Sequence, residues 1–332
     1  MRKREIMSLL LTAALTMMSG CSNDQPVEPP QSGSAEKSDK PVVTDDPDIS
    51  DDIDGLIQIK DDLSGGISEL HNIMSFVPGL LTGERKEITE EEGAEIDRLI
   101  FEDEQNFLVS SSGTAYSAVK IRDWNRYTSM TAKEKLSFYE AVFYDRLDKV
   151  CRAFLEEPSH GAVKVKDHYF LNGVDFSDLG LTESDAADLY VWFKYNNPHY
   201  YFLDNMAVST TALFPIVMDL VMESGDAAEL TNTIFDKLDG WIEECSDNKT
   251  TTWQKIQSIN RKICEAAEYD PKALSKVSGG NKEMTDEELK EALGGKNRTI
   301  YSVLMSPETV CAGYAVTFNA MANAMGIDSL VH

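Results

Sequence analysis

Apolar residues recur at helical spacing along much of the chain, and three short segments predict where helices begin. Segments 131–134, 182–185 and 285–288 each start with Thr and end with an acidic residue. This pattern is typical of a capping box, in which the two side chains bond the first turn of a helix. The first two segments precede apolar repeats at intervals of three and four, which predict amphipathic helices.

Two longer stretches carry different patterns. Residues 226–268 are polar and predict helix, with an apolar stripe that begins at Trp253 and ends at Ile263. Residues 206–222 are strongly apolar, but Pro215 and a central group of Ser and Thr argue against a membrane span. We therefore expect buried strand or mixed structure there.

The start of the chain has the pattern of an export signal. Arg2, Lys3 and Arg4 precede 13 mostly apolar residues at 6–18, and small residues then lead to Cys21. The apolar run is shorter than the roughly 20 residues that span a bilayer, so a cleaved signal fits better than a permanent anchor. The alternative is an ordinary secretory signal with an incidental Cys.

Residues 1–21 resemble the signal peptide and lipobox of bacterial lipoproteins. The resemblance implies that Cys21 is acylated and becomes the first residue of the mature protein. Two acyl chains give stable membrane attachment. The expected location is therefore the outer face of the cytoplasmic membrane, with the lipid anchor as the membrane contact.

The acidic composition predicts a disordered tether and excludes some classes of partner. The formal net charge is -26, so nucleic acid and anionic membrane surfaces are unsuitable partners. Residues 22–54 hold ten acidic residues, two lysines, five prolines and no aromatic residue. A segment of this kind cannot bury enough apolar surface to fold. We expect 22–60 to be a disordered, acidic tether.

Cysteine and histidine usage gives no sign of a metal centre. The sequence has no CxxC pair and its five histidines are scattered, so we expect neither metal nor cofactor. Outside the cytosol a disulfide between Cys245 and Cys264 is possible, and the sequence leaves it open. His199, after Pro198, is expected in a turn or at the surface.

Cys311 is the candidate catalytic residue. Residues 298–305 predict an extended entry, a helix starts at Cys311 and ends before Gly326, and 327–331 has the pattern of a strand. The unpaired N–H groups at a helix start favour a thiolate and stabilise an oxyanion. An isolated Cys near a helix is also often a packing residue.

The sequence around Cys311 resembles that of a known family. Segment 310–315 reads Val-Cys-Ala-Gly-Tyr-Ala, and Gly-Ile follows at 326–327. These motifs resemble the nucleophile region of transglutaminase-like domains, which have the papain-like cysteine fold. The run 253–270, ending Glu-Tyr-Asp, is also similar to that family. The segment Asn-Asn-Pro-His-Tyr-Tyr-Phe at 196–202 is similar to one in the helical region that precedes such domains in exported bacterial proteins. Thr309 stands where the family often has Gly.

The resemblance implies a fold and a domain order. We expect an α+β fold, with a mostly helical region at 61–225 followed by an incomplete transglutaminase-like domain at 226–332. In that family a base His and an orienting Asp follow the nucleophile helix on strands. Only 21 residues follow Cys311, and His332 as the base requires unusually short spacing. We therefore interpret the sequence as a fragment of a longer lipoprotein.

The implied activity is acyl transfer through Cys311. The thiol attacks an amide carbonyl, and the thioester passes to an amine or to water. Surface proteins and peptidoglycan peptides are the expected substrates. The alternative is a non-catalytic binding lipoprotein. An aromatic ligand surface could then lie at Trp192, Tyr195, Tyr200 and Tyr201, although half-buried core is the expected role of most of these side chains. A transporter's solute-binding lipoprotein is a weaker third option, because strands and helices do not alternate.

Overall fold

The computed structural model describes residues 85–110, 117–246, 251–270, 295–306 and 308–331, without the side chains of 107–110. All of these residues belong to the unit Pro78–His332. The expected signal peptide with Cys21, the acidic tether and the helix start at 285–288 lie outside the described residues.

Helices and a mixed sheet make up the described part of the chain, which confirms the predicted α+β class. The helices are α1 (Glu90–Ser110), α2 (Phe138–Glu156), α3 (Glu183–Asn196), α4 (Asp219–Met222), α5 (Ala227–Cys245), α6 (Thr252–Ala266), α7 (Ile300–Met305) and α8 (Cys311–Ala324). Single 3-10 turns cover Trp124–Tyr127, Lys133–Lys135 and Gly295–Arg298. The strands are β1 (Arg85–Glu87), β2 (Val163–Val165), β3 (His168–Phe170), β4 (Val174–Asp175), β5 (Leu203–Val208), β6 (Ala212–Val217), β7 (Glu268–Tyr269) and β8 (Glu308–Thr309).

Six strands form one sheet with β6 near its centre. The order is β1-β5-β6-β3-β2, and β4 pairs with the start of β6. β1 runs parallel to β5, and the other pairs are antiparallel. The hairpin of β5 and β6 sets Val208 opposite Leu213. Both strands are largely buried, which confirms the strand predicted within 206–222.

Helix α1 covers one face of this sheet through a small apolar cluster. Ile96 and Ile100 pack with Phe214 of β6 and with neighbouring strand residues. Gly93 and Gly173 lie directly against the Phe214 ring, since a Cβ would come within 2.9 Å of it at Gly93 and 2.7 Å at Gly173. The two glycines therefore make room for the aromatic ring of Phe214.

Side-chain caps set the starts of several helices. Thr182 accepts the N–H of Asp185 and the Asp185 side chain accepts the N–H of Thr182, so the predicted capping box of α3 is confirmed. The predicted helical run 226–268 is also confirmed, although it is two helices. Asp226 is the N-cap of α5 and Thr251 is the N-cap of α6. The side-chain oxygen of each N-cap residue accepts a backbone N–H of the first helical turn.

The predicted cap at 131–134 is wrong. Ser137 and Glu140 form the capping box of α2 instead, three residues further on than Glu134. The Thr131 hydroxyl donates to the carboxylate of Asp328 at 2.9 Å. The side chain that the local pattern predicts as a helix cap is therefore bonded to a residue far along the chain. A short 3-10 turn at Lys133–Lys135 fills the interval.

The apolar stripe predicted on α6 is correct only in its second half. Ile259 and Ile263 are fully buried, whereas 54% of Trp253 is exposed. Six residues at 100° each place Trp253 about 120° around the helix from Ile259, and therefore off the buried face.

Helix α8 is buried along most of its length. Its buried side chains include Val316, Phe318 and Met321, and it is apolar on nearly all sides, as expected for a helix that neighbours surround. It packs against α3, α6, α7 and the 3-10 turns at Trp124–Tyr127 and Gly295–Arg298. None of the helices in the described ranges combines the length and apolar character that crossing a membrane requires.

The segments on either side of α8 differ from the predictions. Residues 298–305 form the end of a 3-10 turn and α7 rather than an extended entry, because Thr299 caps the backbone N–H of Tyr301. Residues 327–331 are not a strand. The side-chain amide of Asn196 instead exchanges two 3.0 Å hydrogen bonds with the backbone of Val331.

Candidate active site

Cys311 is the first residue of α8, as predicted. Val310 is the N-cap residue and has no side-chain cap. The first backbone bond of the helix runs from the N–H of Tyr314 to the carbonyl of Val310, so helix geometry leaves the earlier N–H groups without a helical acceptor. The Cys311 thiol is free and partly exposed. A nucleophile at this position has oxyanion donors in its own backbone.

A buried polar cluster fixes the turn that leads into Cys311. The hydroxyl oxygens of Ser302 and Thr309 lie 2.6 Å apart, and Thr309 also donates to the carbonyl of Asn297 at 3.2 Å. The same carbonyl accepts the N–H of Val310. Thr309 is fully buried, so this Thr, where the family often has Gly, has a clear structural role.

Strand pairing brings a tyrosine to the thiol. β7 and β8 pair in parallel, with Tyr269 opposite Thr309, two residues before Cys311. The ring of Tyr269 stacks on Tyr314 with 12° between the planes. Burial raises the pKa of Tyr269, and interaction of its hydroxyl with the Cys311 thiol raises this pKa further. The phenol is therefore protonated at neutral pH and able to donate towards sulfur.

Two cations are buried in elements that pack against α8. Arg298 and Lys194 are each only 7% exposed. The ammonium group of Lys194 donates to the carbonyl of Asp204 at 2.6 Å. Burial raises the pKa of Tyr195, whose hydroxyl interacts with Arg298 and which is also within electrostatic reach of Cys311. Tyr195 is therefore within electrostatic reach of both Arg298 and the thiol.

The three described histidines lie in other parts of the fold. His160 follows α2 and is within 3.2 Å of the carbonyl of Glu157, and His168 begins β3. His199 lies in a turn, which is one of the two expectations, but it is completely buried against Trp124 and Tyr200 and not at the surface. Burial lowers the pKa of His199 well below the usual value, and the imidazole is neutral.

Cys151 and Cys245 lack the features of a nucleophile. Cys245 and Cys264 are not joined, so the possible disulfide between them is not formed. Burial raises the pKa of Cys245 and, more strongly, that of Cys151, which is completely buried. A raised pKa disfavours the reactive thiolate. Within the described ranges, no three His, Cys, Asp or Glu side chains come close enough to hold a metal ion.

The sequence identified the nucleophile candidate but not its neighbours. Tyr269 lies inside the Glu-Tyr-Asp ending of the 253–270 run, so its position was noted without a role. Tyr195 was considered for a ligand surface under the alternative function, with core as the expected role of most of that group; it is 9% exposed and its hydroxyl interacts with Arg298. Arg298 gave no signal, because a single Arg in a polar loop is normally solvated.

Comparison with known proteins adds no assignment. Neither the protein-family models nor the curated proteins include a match to this sequence.

Proposed function

We propose that this chain is an exported lipoprotein with a transglutaminase-like domain, in which Cys311 is the nucleophile of an acyl-transfer reaction. The observation that carries the proposal is the position of a free, partly exposed thiol as the first residue of the 14-residue helix α8. The motif resemblance at 310–315 supports it.

The chemistry follows from the position of the sulfur. The Cys311 thiolate attacks the carbonyl carbon of an amide, and the first-turn N–H groups of α8 stabilise the oxyanion. The amine leaves with a proton, and a thioester remains on sulfur. Attack by a second amine gives a cross-link, and attack by water gives hydrolysis. Either step returns the thiol.

Tyr269 supplies a proton donor rather than a base. Its raised pKa keeps the hydroxyl protonated at neutral pH, so it is suited to bonding the sulfur or the developing oxyanion. The resemblance assigns the base to a histidine that follows the nucleophile helix. The residues after Val331 lie outside the described part of the chain.

The structure disfavours the aromatic surface considered for a binding protein. Tyr200 and Tyr201 are each 1% exposed, and Tyr195 is 9% exposed. Trp192 alone among the four is partly exposed, and its indole N–H bonds the carbonyl of Ala132 at 3.3 Å. These side chains act mainly as core, which leaves the surroundings of Cys311 as the favoured site.

Alkylation of the full-length protein at neutral pH tests the role of Cys311. We expect iodoacetamide to modify Cys311 at least about tenfold faster than Cys264, which is also partly exposed, with the sites resolved by peptide mass spectrometry. Incubation with peptide amides should leave an acyl group on Cys311, and Cys311→Ala should abolish amine incorporation while Cys264→Ala retains it. Equal alkylation rates at the two thiols would contradict a catalytic Cys311.

Attachment to the membrane is a separate part of the proposal and has its own test. We expect the wild-type protein to fractionate with membranes and to incorporate labelled fatty acid, because two acyl chains anchor a protein stably. Cys21→Ser should remove the label and release the protein from the membrane fraction. Continued labelling of the Cys21→Ser variant would exclude Cys21 as the lipidation site.

A further inference from the structure

His199 is completely buried, and neither of its ring nitrogens has a hydrogen-bond partner among the described residues. The centre of its ring lies 4.0 Å from that of Tyr200 and 6.3 Å from that of Trp124, with the Trp124 ring nearly parallel to it. Buried polar groups are nearly always hydrogen-bonded, and an unpaired one raises the free energy of the folded state. This packing suits a neutral imidazole, and it offers no acceptor to the two N–H groups of an imidazolium.

Trp124 belongs to a segment that polar contacts hold on helix α5. We call this segment, residues 117–127, the strap. The side-chain oxygen of Asn232 on α5 accepts the N–H of Lys120 at 2.8 Å. Further along the strap, Arg122 pairs with Asp239 of α5 at 2.6 Å. The strap is therefore attached to α5 mainly by hydrogen bonds and ion pairs.

The end of the strap contacts both His199 and helix α8. This end is the 3-10 turn Trp124–Tyr127, in which Trp124 stacks on His199 and packs edge-on against Phe235 of α5. The turn packs against α8, and the side-chain amide of Asn323 on α8 donates to the carbonyl of Tyr127 at 3.5 Å. A displacement of this turn would therefore remove a support of the helix that carries the candidate nucleophile.

The strap has a second buried group without a partner. Nε of Arg122 has no hydrogen bond within the described ranges, although the two terminal nitrogens of this guanidinium bond Asp236 and Asp239. Among the described residues, every buried side-chain nitrogen or oxygen that lacks a partner belongs to Arg122 or His199. Water can bond such groups once the strap is released, so they lower the free energy needed to release it.

The charges on α2 do not favour a proton on His199. The guanidinium of Arg152 bonds Asn125 of the strap at 3.0 Å, and its positive charge disfavours a second cation nearby. The carboxylate of Asp148 accepts hydrogen bonds from Arg152 and, at 2.6 Å, from the hydroxyl of Tyr200. Asp148 is therefore already engaged by two donors.

The charges on α5 are also engaged. Asp239 accepts the hydroxyl of Tyr127 at 2.6 Å and pairs with Arg122 and Arg126. Asp236 bonds Lys120 and Arg122, which lower the pKa of Asp236. Carboxylates of this kind stay ionised at pH 5, so the ion pairs that hold the strap persist there. Between pH 7.5 and pH 5 the group that changes charge in the open strap is His199.

We propose that residues 117–127 are an acid-sensitive strap, which is released from His199 and α8 when the imidazole takes up a proton. The closed strap encloses the neutral ring, whereas the open strap exposes the ring to water, which stabilises the imidazolium. The open form therefore binds a proton that the closed form does not, and the closed form loses stability as the pH falls. The strap would act in this way whether or not Cys311 is a nucleophile.

Hydrogen exchange of the full-length protein, corrected for intrinsic amide rates and read by mass spectrometry, tests this strap. The ordinary pKa of histidine is 6.5, so the opening equilibrium constant of 117–127 should rise about thirtyfold between pH 7.5 and pH 5. His199→Phe keeps an aromatic ring that takes up no proton, and it should abolish this rise. His168→Phe, at a partly exposed position of β3, should retain it.

Two results would overturn the proposal. The same pH dependence in the wild-type protein and in His199→Phe would exclude His199 as the proton acceptor. At pH 5 the strap should also open more often than strands β5 and β6, and equal opening constants would mean that the fold opens as a whole. If His199→Phe does not fold, the wild-type protein decides alone, because a strap whose opening constant is the same at pH 7.5 and pH 5 is not acid-sensitive.

Discussion

Replacement of Gly313 by alanine should destabilise the protein by at least about 3 kcal/mol, because the site beneath the nucleophile has no room for a methyl group. A Cβ at Gly313 would come within 2.0 Å of Thr309 Oγ1, 2.6 Å of Ser302 Oγ and 3.0 Å of the backbone oxygen of Asn297. Both hydroxyl groups are fully buried and hydrogen-bonded, so neither can move without losing a partner.

The matched control is Gly240→Ala, in the middle of α5. A Cβ there meets no atom within 4 Å, so the replacement should stabilise the protein by up to about 1 kcal/mol through helix propensity. Urea unfolding of both variants gives the comparison. If Gly313→Ala and Gly240→Ala have similar free energies of unfolding, the start of α8 tolerates a methyl group and Gly313 does not pack closely on Thr309 and Ser302.

The effect of Gly313→Ala would extend to the site. The side chains that a methyl group would displace hold the turn before Cys311, through the bonds of Thr309 and Val310 to the carbonyl of Asn297. A variant that still folds should therefore show slower alkylation at Cys311. The glycine in the Val-Cys-Ala-Gly motif thus has a packing role that the motif alone does not reveal.

Local patterns predicted helix starts only where the capping residues have no competing partner. Thr182 and Asp185 bond each other, and the predicted start of α3 is correct. Thr131 has the same local pattern, but Asp328, almost 200 residues away, accepts its hydroxyl hydrogen. Capping propensity is a local property, and a tertiary contact of this kind cannot be read from the neighbouring residues.

The sheet was only partly predictable, because most of its strands are too short to show a period. The hairpin of β5 and β6 has six residues in each strand and was expected from its apolar character. β1, β2 and β3 have three residues each, and β1 joins β5 in parallel from more than 100 residues away. Alternation over three residues carries little information about pairing.

The candidate site shows the same division between local and distant effects. The position of Cys311 at a helix start followed from the residues around it, and the structure places it there. Tyr195 and Tyr269 come within electrostatic reach of Cys311 from two other elements, which only the folded chain brings together. The expected strand at 327–331 failed for a related reason, since Asn196 and Asn323 take the backbone hydrogen bonds that a strand partner would make.

Lys194 should make stability depend on pH in an alkaline window. The pKa of Lys194 is lowered from 10.5 to about 8, mainly by burial, while Asp204 opposes the change and Arg298 adds to it. Between these two values the unfolded chain binds a proton that the folded chain does not, so stability rises with pH across the window. Below pH 8 both states are protonated, and Lys194 adds no further pH dependence.

The Lys194→Met variant isolates this contribution. Relative to the variant, the wild-type protein should gain about 3 kcal/mol of stability between pH 8 and pH 10.5, measured by urea unfolding at several pH values. Lys149→Met, at an exposed position of α2, should leave the pH profile of the wild type unchanged. If the free energy of unfolding changes with pH in the same way in the wild-type protein and in Lys194→Met, the ammonium group of Lys194 is solvated.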